Sequence, residues 1–65
     1  MTKEQHLELL RYRMSQIDEK RIKMYKNIQE MDEAQAKLVV DIFDLKFGGI
    51  EADIETQIEW IEKNL

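Results

Sequence analysis

The sequence predicts an all-α helical hairpin with a long first helix, at about residues 3–47, and a short second one, at about residues 50–64, dimerising through the long helix. Three observations predict it: apolar residues recur in sevens from Leu7 to Leu45, the chain holds no proline, and its two glycines stand together at Gly48-Gly49. Read as heptads, Leu7, Met14, Arg21, Ile28, Gln35 and Ile42 fall at position a, and Leu10, Ile17, Met24, Met31, Leu38 and Leu45 at position d. Every d residue and four of the six a residues are apolar, the pattern of a helix that buries one seam against another helix.

Size makes that seam important. A chain of 65 residues is near the limit at which one copy buries enough apolar surface to offset its ordering entropy. Without cysteine it has no disulfide or thiolate metal site, which leaves self-association as the staple. No apolar run approaches the ~20 residues of a membrane span, and Met1–His6 lacks the apolar block of a signal peptide. The expectation is a soluble, cytoplasmic protein of one helical domain, residues 1–65, made of an extended arm (1–33) and a hairpin (34–65).

The first helix opens at Thr2, which forms a capping box with Gln5, and Glu4 suits the positive end of the helix dipole. Nothing strong stops it before the glycines, and a helix reaching Phe47 would be roughly 65 Å long. From Ala36 onward a second apolar stripe, Val40, Phe43 and Phe47, lies on another side of the helix. A glycine past a helix end can adopt the left-handed conformation that closes the last carbonyls, so Gly48-Gly49 is expected to reverse the chain. The second helix then offers Ile50, Ile54, Ile58 and Ile61 to that stripe. This leaves the a/d seam for a second copy of the chain.

Orientation follows from charge. Parallel pairing would set Arg21 against its own counterpart, whereas antiparallel pairing about Lys26 sets it level with Met31. Residues 1–26 carry net charge +3 and residues 27–65 carry −7, so antiparallel copies would bring a basic arm to an acidic hairpin. Arg21 in such a seam is a costly charge, and replacing it with leucine is expected to stabilise the fold.

Catalytic groups are sparse. His6 and Ser15 lie too far apart along one helix to hydrogen bond, and no third group orients either. Glu51, Glu55, Glu59 and Glu62 follow at helical spacing without a histidine placed for a carboxylate di-metal site, and read as a solvated face. No enzyme, cofactor or metal is expected. Arg13, Lys20, Lys23 and Lys26, with Tyr12 among them, form a basic line that could follow nucleic-acid phosphates. Glu4, Glu8, Asp18 and Glu19 interrupt it, and the whole chain carries net charge −4.

Met1-Thr2-Lys3 at the start, Asn64-Leu65 at the end and the length resemble the Rop-type plasmid copy-number proteins, RNA-binding dimers of helical hairpins. The resemblance is confined to the ends. The turn of that family lies near mid-chain, the intervening sequence does not match, and no residue roles are carried over.

The sequence therefore points to a small regulator or adaptor that pairs with itself and contacts another protein. Nucleic-acid binding is the alternative, and a plain dimerisation element the third reading.

Overall fold

A computed structural model describes every residue from Met1 to Leu65 and contains two helices, α1 (Lys3–Ile28) and α2 (Glu33–Asn64), and no strand. The N-terminus of α1 is closed as its residues dictate. The Thr2 hydroxyl accepts from the Gln5 backbone N–H at 3.2 Å, and the Gln5 side chain accepts from the Thr2 N–H at 3.0 Å. Two orphan donors of the first turn are thus satisfied reciprocally.

The chain reverses at Gln29–Asp32, not at Gly48-Gly49. After Lys26 in the last turn of α1, the Met31 N–H donates to the Ile28 carbonyl at 3.1 Å. Asp32 then leaves the helical region, at ψ 167°, and its carboxylate accepts from the Gln35 N–H at 2.9 Å. An aspartate in that place is a strong helix start, and Glu33 adds a favourable charge to the new first turn. This corrects both expected helix lengths: the long first helix to residue 47 is two helices, and the short one from residue 50 is the second half of α2.

Gly48 and Gly49 lie inside α2 with no positive φ, and a Cβ at either would meet nothing within 4 Å. Neither turn geometry nor internal packing requires them. Each costs the helix about 1 kcal/mol relative to alanine.

The two helices pack into a rod 47 × 16 × 13 Å. Leu7, Leu10, Ile17, Ile54 and Ile61 form the buried core, with Met14, Phe43, Phe47 and Ile58 packed against it. Met24 is also buried. The α1 half of the heptad stripe is therefore turned onto α2 of the same chain. Of the residues expected in the hairpin core, Ile54 and Ile61 are buried, Val40, Phe43, Phe47 and Ile58 half-buried, and Ile50 exposed. All lie on α2, and their partner is α1.

Candidate contact surfaces

One long side of the rod is tied across by charge. Arg11 and Glu62 pair at 3.0 Å, and Arg21 bridges Asp18 at 3.2 Å on its own helix and Glu51 on the other. The hydrogen bond that Arg21 donates to Glu51 raises its pKa above the ordinary arginine value; burial opposes this, and the charges of Glu51 and Asp18 add to it. Its guanidinium also lies 5.2 Å from the Phe43 ring centre. Arg21 was expected between two copies as an unpaired core charge; it is instead the main polar tie within one hairpin.

The opposite side is open. At 100° per residue, Arg13, Lys20 and Lys23 of α1 and Val39, Ile42, Lys46 and Ile50 of α2 project from this side. They line two shallow depressions between the helices, with Met24, Phe43 and Phe47 among the residues lining the one nearer the turn. Lys20 and Lys46 approach the Phe47 ring at 5.2 and 5.4 Å. Neither lysine has a carboxylate within ion-pair distance, and the same is true of Arg13, Lys23 and Lys26. Of the candidate nucleic-acid contacts, Arg13, Lys20 and Lys23 thus share the open side, whereas Lys26 lies on the back of α1.

Comparison with family models, with curated proteins and with solved structures gives no match.

No depression is enclosed by converging polar groups. His6, the lone histidine, lines a shallow one at the open end with Thr56, Gln57, Trp60, Ile61 and Leu65. Ser15 bonds the Tyr12 carbonyl at 2.7 Å within its own helix. No group of three or more histidine, cysteine, aspartate or glutamate residues converges to hold a metal ion, and no helix is long and apolar enough to cross a membrane.

Apolar residues outside the core are the larger signal. From the expected self-association seam, Leu7, Leu10, Ile17 and Met24 are buried within the chain, and Met14, Arg21 and Ile28 are half-buried. Met31, Gln35, Leu38, Ile42 and Leu45 remain exposed. The turn at Gln29–Asp32 divides the stripe, so its two halves have different fates. Trp60, exposed near the end of α2, continues the outer half, and it belongs to neither list read from the heptads.

Proposed function

We propose that this protein is a small, non-enzymatic, cytoplasmic regulator or adaptor that works as a helical homodimer through contacts with another protein. The observation that carries the reading is its surface area. The chain exposes 5311 Å² at a mass of 7.9 kDa. A compact monomer of that mass exposes about 4,400 Å². The surplus of about 900 Å² is close to the ~800 Å² that each partner buries in a standard interface.

The open side of the hairpin suits a second copy. It offers the exposed Ile50 and the half-buried Val39 and Phe47 along the inter-helix groove, without ion pairs across it. A dimer formed there would complete the burial that two helices alone leave unfinished. Light scattering over a concentration series, with helicity recorded on the same samples, tests this. A folded dimer that persists to low micromolar and becomes monomeric in Val39→Glu and Ile50→Glu is expected. A fully helical monomer at that concentration, or a dimer indifferent to both changes, would overturn it.

A second reading, binding of RNA or DNA, is favoured by Arg13, Lys20 and Lys23, which share the open side without a carboxylate partner. It claims part of the same open side. Binding that weakens steeply with salt and disappears in Arg13→Glu/Lys20→Glu would support it, and no binding at low salt would remove it.

A further inference from the structure

The outer face of α2, turned away from α1, is apolar along most of its length. Leu38, Ile42 and Leu45 are 60%, 55% and 86% exposed, and Trp60 is 57% exposed. Gly49 and Ala52 continue the same line at spacings of four and three, so the stripe has bulky residues toward both ends and a shallow notch between. The glycines acquire a use in this setting. They serve no turn and no internal contact, and open space lies over both. A residue without a side chain at the centre of an apolar helix face lets another backbone come close.

Carboxylates border the notch. Asp41, Asp44, Glu55 and Glu59 follow one edge of the stripe, with Lys37 one turn before them on the same edge, and none of the four is in an ion pair. The other edge carries Lys46 and Asp53, which offset one another. Over its length from Glu33 to Asn64, α2 holds eight acidic and three basic residues.

We propose that this face docks a cationic amphipathic helix from another protein, laid along α2 with its backbone over Gly49 and Ala52. Its apolar residues would cover Leu38, Leu45 and Trp60, and its lysines or arginines would meet the acidic edge. The proposal rests on the reading of this protein as one that acts by protein contact, and it names the chemistry of the partner. Charge selects that partner over the other occupants. Two α2 helices paired antiparallel about Gly48 would set Asp41 of each copy level with Glu55 of the other, like charge against like. Anionic lipid and nucleic acid are repelled by the same edge.

Trp60 is the only tryptophan of the chain, so it reports occupancy directly. The probe is a synthetic helix of three heptads with leucine at a and d and lysine at e and g, containing no tryptophan. Its twin carries glutamate in place of lysine. The expected result is a saturable blue shift of Trp60 emission with the cationic peptide, weaker at high salt and absent with the acidic twin.

Two variants make the test specific. Leu45→Glu adds a carboxylate, so a purely electrostatic association would tighten, whereas a docked apolar face loosens at least tenfold. Gly49→Gln favours the helix yet fills the notch, and is likewise expected to weaken binding at least tenfold while helicity is kept. Ile22→Glu, on α1, should leave binding unchanged. The proposal is overturned if the cationic peptide does not bind, if the acidic twin binds equally, or if Leu45→Glu and Gly49→Gln bind like the parent. Light scattering on the same samples separates the two readings. Loss of the dimer with peptide binding intact removes only the homodimer, and loss of peptide binding with the dimer intact removes only this docking face.

Discussion

Replacing Gly48 and Gly49 with alanine should make the protein markedly more stable, because both sit inside a continuous helix. The backbone is helical through both positions with no positive φ, and the added methyl groups meet nothing within 4 Å. Each change therefore gains the full difference in helix propensity, about 1 kcal/mol, or about 2 kcal/mol for the pair. In a domain of 60–100 residues, 1 kcal/mol moves the midpoint by about 4–8 °C, so the double variant should melt about 8–16 °C higher. The assay is a thermal melt followed by circular dichroism, run at one protein concentration because self-association also moves the midpoint. If the glycines instead reversed the chain in the left-handed conformation, alanine there would destabilise by roughly 1 kcal/mol or more at each position. A lower midpoint would refute the two-helix arrangement described above. Gly49→Pro gives the converse reading: about 3 kcal/mol lost within a helix, and little lost in a turn.

Other perturbations bear on the remaining ties. Asp32→Ala removes the acceptor for the Gln35 N–H and should cost about 1 kcal/mol in urea unfolding, whereas Asp32→Asn should cost much less. Arg21→Leu, which the heptad pattern alone marks as stabilising, should destabilise by about 1–2 kcal/mol by orphaning Glu51, whose side chain is only 17% exposed. Arg21→Leu/Glu51→Leu should recover most of that loss, and a single variant as stable as the parent would show that the pair contributes nothing. Because the pKa of Arg21 is raised, its contribution is fully present below the ordinary arginine value and is lost only above it. Deprotonation of Arg21 should therefore add no slope to stability measured between pH 6 and 9. Leu10→Ala removes a core residue and should cost about 2–5 kcal/mol, enough to unfold a domain this small at room temperature.

The helical class and the start of α1 could be read from the residues. The reversal could not be read from the heptads, because Ile28, Met31, Gln35 and Leu38 keep the seven-residue rhythm straight through it. A local signal was nonetheless present. Asp32 with Gln35 three residues on, Glu33 in the following turn and Lys26 before them repeat the logic that identified Thr2 and Gln5. Two adjacent glycines outweighed it, since glycine more often punctuates a helix than lies within one. The split of the apolar stripe follows from the position of the turn. Once the chain turns at Gln29–Asp32, Leu7, Leu10, Ile17 and Met24 find α2 at hand, while Leu38 and Leu45, on α2, point away from α1. The pairing of Arg21 depends on the same turn: its partner Glu51 lies near it only when α2 runs back along α1.

The core sits far from the turn. Leu7, Leu10 and Ile61, half of the six buried residues, lie within ten positions of a chain terminus. In most domains the terminal residues fray and can be trimmed. Here, trimming through Leu10 would remove two of those six residues together with the Thr2 cap, and trimming back to Glu59 would remove Ile61 and the Arg11–Glu62 pair. Amide hydrogens around Leu10 and Ile61 should consequently exchange more slowly than those around Ile28 and Ala36, next to the turn. The hairpin is held shut at its tips, and fusions or tags are safer at the exposed turn residues Gln29–Asp32 than within the terminal turns of either helix.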